Sequence, residues 1–231
     1  RMDKCRVAVF AADNGVVDEG VSCAPRSVTV QQAVNMTRRK TGMSAMAAAF
    51  GDDVVVVDVG MDCDTTPAGI LDRRVRRSTG DIAIEDAMTR PQALAAMAAG
   101  MEQASLARAD GITALGIGEM GIGNTSTSAA VLAVLTGAEI EAVTGRGGGL
   151  TDRAFARKKD VLRAAIGRRF IHRDDVVDVL CAVGGLDIAA MTGAFLGCAH
   201  EGIPAAVDGF ISVTAALCAV MTALTLLPGQ V

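Results

Sequence analysis

The sequence predicts an α/β fold built on a mostly parallel sheet with helices on its faces, and three observations carry that prediction. Short β-branched runs alternate with longer Ala-rich stretches at helical period, the order expected of βαβ units. The run Val54-Val55-Val56-Val57 is apolar without alternation, which asks for a strand covered on both sides. Aromatic residues make up only 3% of the chain, with neither Trp nor Tyr, against 26 Gly. The core must therefore come from Ala, Val, Leu, Ile and Met at close backbone approach.

Strands are expected over 6–12, 54–59, 112–117 and 203–207, and helices over 28–39, 44–50, 91–109, 125–135, 151–166, 173–182, 186–201 and 212–226. The helix ends carry suitable chemistry. Thr89 can cap ahead of Pro91, Gly111 and Gly137 sit just past two C-termini, and Thr151-Asp152 opens the helix after the glycines at 145–149. No internal repeat, heptad seam or low-complexity linker divides the chain, so residues 1–231 read as a single α/β domain.

Composition excludes several functions. At 231 residues and 51% apolar the chain is not a disordered one, and a net charge of -4 leaves no broad basic footprint for nucleic acid. Six Cys without a Cys-x-x-Cys pair, and only His172 and His200, predict reduced thiols in a cytoplasmic setting, with neither a disulfide framework nor a zinc site. No signal-peptide pattern precedes the first strand. Residues 211–227 are uncharged but fall short of the roughly 20 residues of a membrane-spanning helix, and Ser212, Thr214, Thr222 and Thr225 argue for a buried core helix.

Ligands of open α/β sheets sit outside the carboxyl ends of the strands, so the loops there are where chemistry is sought. Asp13-Asn14-Gly15-Val16 with Asp18-Glu19-Gly20-Val21 could hold a ribose hydroxyl, a cation or a basic ring; Asp-Asn-Gly is equally a plain turn. Gly118-Glu119-Met120-Gly121-Ile122-Gly123-Asn124-Thr125 combines glycines with a helix N-terminus, the makings of a phosphate cradle, although it matches neither the P-loop nor the dinucleotide fingerprint. Glu119 would be repelled by a phosphate, so it suits a base or the partner of a developing cation, or else a helix cap. Gly145-Arg146-Gly147-Gly148-Gly149-Leu150 offers a second N–H nest, and a Lys one to two turns into the following helix can reach back to an anion; Arg153, Arg157, Lys158 and Lys159 each also read as a solvated face. Asp208-Gly209-Phe210, like Gly184-Gly185, reads first as supporting structure, with Asp208 capping the last helix. Together the loops fit phosphoribosyl transfer through an oxocarbenium-like centre, or a plain nucleotide-binding module.

These loops, with Val28-Thr29 and Gln32, resemble in order and spacing the nicotinate-nucleotide:dimethylbenzimidazole phosphoribosyltransferase family of cobalamin lower-ligand synthesis, and the octet from Gly118 to Thr125 is its most specific part. The resemblance implies a doubly wound, Rossmann-like sheet, a homodimer, and transfer of phosphoribose from nicotinate mononucleotide to 5,6-dimethylbenzimidazole. α-Ribazole 5′-phosphate and nicotinate would be the products, formed with inversion and with neither metal nor cofactor. It also implies that Gly121, Gly123, Asn124, Thr125, Gly145, Arg146, Gly147 and Lys158 hold phosphate and ribose, that Glu119 is the active-site carboxylate, and that Ala24, Gln32 and Met120 wall the base. Asp13, Asp208 and Gly209 would support them. The sequence departs from the family at Asn14, where many relatives carry His, at Ser78 and Asp81, where Gly and Asn are usual, and at Glu85-Asp86, which replaces Gly-Pro. Family members also have an N-terminal helical stretch and a C-terminal Gly-Glu-Gly-[Thr/Ser]-Gly-Ala segment whose Glu serves as general base. Nothing after Leu227 resembles that segment, so a core without those family segments is expected. The alternative is a non-catalytic module that binds a nucleotide or benzimidazole riboside.

Overall fold

The structure is a computed structural model that describes residues 3–226. Its strands are β1 (Cys5–Ala12), β2 (Asp53–Gly60), β3 (Leu71–Asp72), β4 (Ala114–Met120) and β5 (Ala205–Ala206). They form one sheet in the order β3-β2-β1-β4-β5, parallel at every pairing. The helices are α1 (Ser27–Thr37), α2 (Gly42–Phe50), α3 (Arg90–Ala109), α4 (Asn124–Thr136), α5 (Ile140–Val143), α6 (Asp152–Gly167), α7 (Val176–Val183), α8 (Leu186–Glu201) and α9 (Phe210–Leu226).

The sheet is covered on both sides, as its apolar strands require. Val9 and Ala11 of β1 and Val56 of β2 pack on Ala33 of α1. On the opposite side Ala8, Phe10, Val57, Val59, Leu115 and Ile117 join the larger core, to which α3, α4, α7, α8 and α9 contribute. α3 and α8 cross with almost no space between their backbones. A methyl added at Gly100 would stand 1.8 Å from the Ala190 carbonyl oxygen, and one at Gly193 would stand 1.9 Å from that of Met97. Such proximity excludes large side chains, which is the structural counterpart of the missing aromatics.

Several boundaries differ from expectation for local reasons. The strand expected over 112–117 begins at Ala114 and continues to Met120, because Phe10 and Ala11 of β1 are in register with Glu119 and Met120. Glu119 is therefore a strand residue rather than a loop residue. The strand expected over 203–207 shrinks to two residues at the sheet edge. The helix expected from 173 starts at Val176, where Asp175 Oδ1 accepts the N–H groups of Val177 and Asp178 at 2.9 and 3.2 Å. β3, α5 and a 3-10 turn at Gly15–Glu19 are too short for periodicity to reveal. At the helix ends Gln92 Oε1 accepts from the Thr89 N–H at 2.9 Å, Thr151 Oγ1 accepts from the Ala154 N–H at 3.3 Å, and Gly111 and Gly137 take left-handed φ of 71° and 70°.

α9 is buried on only one side. Ser212, Thr214, Ala215 and Cys218 lie inside, while Val213, Val220 and Leu224 are exposed. No helix among the described residues is long and apolar enough to cross a membrane. The six cysteines are free thiols.

The α3–α8 crossing sets a test. Gly193→Ala should destabilise the chain by roughly 2–3 kcal/mol through overpacking, read as a lowered urea midpoint at unchanged m-value.

Candidate active site

β1 and β4 are neighbours at the centre of the sheet, and the chain leaves them toward opposite sides, to α1 and α4. The crevice between their carboxyl ends is the topological switch point of a doubly wound sheet. Asp13, fully buried just past β1, ties that end together. Its Oδ1 accepts the Thr29 hydroxyl of α1 at 2.6 Å and its Oδ2 accepts the Asp62 N–H at 2.8 Å, while Thr29 Oγ1 accepts the Ile122 N–H at 3.1 Å. Burial pushes the Asp13 carboxyl up despite these bonds. Asn14 donates to Ile122 O at 3.3 Å and accepts from Thr127 Oγ1 at 3.4 Å. Both side chains are spent on protein groups, so they brace the site.

β4 delivers Glu119 to the crevice. The Asn124 amide, in the first turn of α4, donates from Nδ2 to Glu119 Oε2 at 2.5 Å and to Asp187 Oδ2 at 2.8 Å. Asp187 stands in the first turn of α8 and is fully buried. Burial raises the Glu119 carboxyl, against the lowering effect of the Asn124 and Gly121 hydrogen bonds. Burial, reinforced by the nearby Glu119 charge, pushes Asp187 up to about 7. Gly121 is required where it sits: a methyl there would lie 2.6 Å from both Ala12 O and Asp187 Oδ2.

A second cluster adjoins the first through Thr125. Lys158 of α6 is fully buried and, among the described residues, has no carboxylate partner; its Nζ donates to Thr125 Oγ1 at 2.8 Å and to Gly145 O at 3.1 Å. Burial pushes its pKa down to about 8. Gly147, at φ 56°, brings the 145–149 loop against α4, since a methyl there would lie 3.1 Å from Thr125 Oγ1. Arg146 folds back on its own loop, bonding Leu150 O at 3.0 Å and Asp152 at 2.6 Å and lying over the Phe155 ring.

A cavity of about 290 Å³ joins the two clusters. Glu119, Met120, Gly121, Gly123, Asn124 and Thr125 line one side of it, Ala24 another, and Arg146 and Gly147 a third. Gly145 and Lys158 lie behind Thr125 rather than on the wall. Gln32 is half-buried on α1, outside the lining. Asp208 corrects an expectation: among the described residues its carboxylate makes no hydrogen bond, so it does not cap α9, and the chain turns instead at Gly209, φ 84°. The sequence patterns missed Asp187, Ser22, Cys23 and Ile211. For Asp187 a trace existed in Gly184-Gly185, because a methyl at Gly185 would stand 2.4 Å from Asp187 Oδ1. Among the described residues no cluster of His, Cys, Asp and Glu is placed to hold a metal ion. A larger open groove, about 960 Å³, runs along α6 beside Ala83 and Ile84 and contains neither Glu119 nor the glycine loops.

A glycine-lined cavity with a half-buried carboxylate at one end and a buried lysine behind the other agrees with the comparison that decides the family. The family model described as Phosphoribosyltransferase (DBI_PRT) matches residues 1–227. The chain belongs to this phosphoribosyltransferase family. Among similar proteins, the nicotinate-nucleotide–dimethylbenzimidazole phosphoribosyltransferase of Clostridium perfringens is 44% identical over 94% of this chain and 60% of its own length. That of Acetivibrio thermocellus is 45% identical over 95% of this chain and 62% of its own. The crystal structure of CobT from Thermus thermophilus superposes with a TM-score of 0.92 at 38% identity, over 98% of this chain and 68% of that one. The chain thus spans about 60% of the length of the curated relatives it matches.

The departure at residue 78 has a physical meaning in this chain. Ser78 is buried at φ 55°, a left-handed conformation that favours glycine, and its N–H donates to Gly60 O at 3.1 Å beside the site. Ser78→Gly should therefore stabilise the fold by about 1 kcal/mol, and an unchanged melting temperature would refute that.

Proposed function

We propose that the whole protein transfers phosphoribose from nicotinate mononucleotide to 5,6-dimethylbenzimidazole or a related base, giving α-ribazole 5′-phosphate and nicotinate. The observation that carries this reading is the single cavity between Glu119 and the Lys158–Thr125–Gly145 cluster. A buried ammonium that bonds only to neutral oxygens is an uncompensated positive charge, and the glycine loop and the α4 N-terminus beside it add N–H donors. A 5′-phosphate is held there, with Gly121, Gly123 and Asn124 along the ribose. Glu119 then stands near the anomeric carbon. As the bond from that carbon to the nicotinate nitrogen breaks, the electron pair goes to the ring nitrogen and discharges the pyridinium. Positive charge develops on the ribose, where a carboxylate in a dry site stabilises it strongly. The base nitrogen attacks from the opposite face, which inverts the centre, and the N–H proton of the resulting benzimidazolium passes to a general base, the role the family resemblance gives to a C-terminal glutamate of the whole protein. Ala24 and Met120, with Gln32 nearby, form an aliphatic and thioether wall for the flat ring. The same reading includes residues 1–231 acting as one α/β unit, a cytoplasmic location, a homodimer, and neither metal nor cofactor. Asp13 and Gly209 support the crevice.

Nicotinate release from the full chain with both substrates is the direct test; nucleotide binding without any release would overturn the reading in favour of a binding module. Glu119→Gln should cut turnover by roughly 100-fold or more while changing nucleotide affinity less than about threefold. Equal losses would make Glu119 a binding residue.

Lys158→Ala should weaken nicotinate mononucleotide binding by roughly 10- to 100-fold. In the native chain the empty site's lysine loses its proton near pH 8. Affinity should therefore fall roughly tenfold from pH 7 to pH 9, and titration calorimetry should find that slope missing in the alanine variant.

A further inference from the structure

We propose that Asp187 is a positioning residue of this site: it and Glu119 grip the Asn124 amide from two sides and share one negative charge, so that Asp187 fixes both where Glu119 sits and when it ionises. This rests on the reading of Glu119 as the active-site carboxylate.

The geometry requires a division of labour. One amide nitrogen supplies one hydrogen to Glu119 Oε2 at 2.5 Å and the other to Asp187 Oδ2 at 2.8 Å. Neither hydrogen is left for a ligand, so Asn124 works as a strut between carboxylates. The other Asp187 oxygen accepts the Ile188 N–H at 3.0 Å. Asp187 is sealed from solvent and absent from the cavity wall, so it acts on a ligand only through Asn124 and Glu119. Gly121 and Gly185 are the clearances that admit it, since a methyl at either would collide with an Asp187 oxygen.

Among the described residues no cationic side chain is bonded to either carboxylate. Among the elements packed on α8, neither α4 nor the described part of α9 carries a charged residue. On β1 and α3, Arg6 pairs with Asp53 of β2 and with Asp110, Arg90 with Asp175, and Glu102 with Arg73, while Arg108 is exposed. Asp58 of β2 accepts from Gly60, Met61 and Thr66. Beyond those elements, Asp13 is taken up by Thr29 and Asp62, and Lys158 by Thr125 and Gly145. Two carboxylates linked by one amide in a dry crevice resist carrying two charges, and they titrate as a pair. The raised Asp187 carboxyl follows from burial and from the neighbouring Glu119 charge, and the raised Glu119 carboxyl from burial.

Carboxyl-carbon NMR of the full chain labelled at Asp and Glu reads the coupling without substrate. Asp187 should titrate well above the ordinary aspartate range, and Glu119→Gln should lower its midpoint by about one pH unit or more. Asp187→Asn keeps an acceptor for Asn124 and removes the charge, and it should lower the Glu119 midpoint by a similar amount. An Asp187 midpoint in the ordinary range, or a folded Asp187→Asn chain whose Glu119 midpoint stays put, would overturn the proposal. Should that variant fail to fold, the native and Glu119→Gln titrations still decide. Absent nicotinate release with the coupling intact would sink the functional reading alone.

Discussion

Asp13 is the buried charge on which the rest of the crevice depends. It holds α1 through the Thr29 hydroxyl and the loop after β2 through the Asp62 N–H, and Thr29 passes the restraint on to Ile122. Three segments distant in sequence are thus tied to the end of β1. Removing one partner of such a knot leaves a buried polar group unsatisfied, so the ties act together rather than as separate hydrogen bonds. Glu119, Gly121 and Asn124 inherit their positions from a carboxylate that never meets the cavity.

Small residues do on the helices what Asp13 does on the loops. Where α3 and α8 cross, Gly100 and Gly193 each face a carbonyl oxygen closer than any side chain would allow. At the site, Gly121 and Gly185 likewise leave no room for a methyl beside Asp187. One compositional habit therefore serves both the core and the chemistry. A chain without Trp or Tyr loses the large rings that usually fill a core, and it gains a crevice narrow enough for one amide to touch two carboxylates.

Much of this was legible in the sequence. The long strands and helices followed from period and β-branching, and the glycine-rich loops that line the cavity from glycines placed after strands. A Lys one to two turns into α6 was legible as able to reach the preceding loop, and the resemblance singled out Lys158, whose Nζ donates to Gly145 O. What escaped depends on contacts between distant segments. Asp187 reads locally as an ordinary acidic residue in the first turn of α8, and only the tertiary approach of Asn124 gives it another role. Asp208 erred in the opposite direction: a helix-opening aspartate suggests a cap, and its carboxylate bonds to nothing among the described residues. The extension of β4 to Glu119 came from register with β1, which no single-strand pattern contains.

The α3–α8 crossing also works as a lever. Gly193 and Asp187 lie on one helix, about 9 Å apart along its axis. The crossing leaves α8 no slack to slide or roll, so the helix transmits a displacement as a rod does. A disturbance at Gly193, far from any ligand, would reach the cavity as a change in how closely Asp187 approaches Asn124.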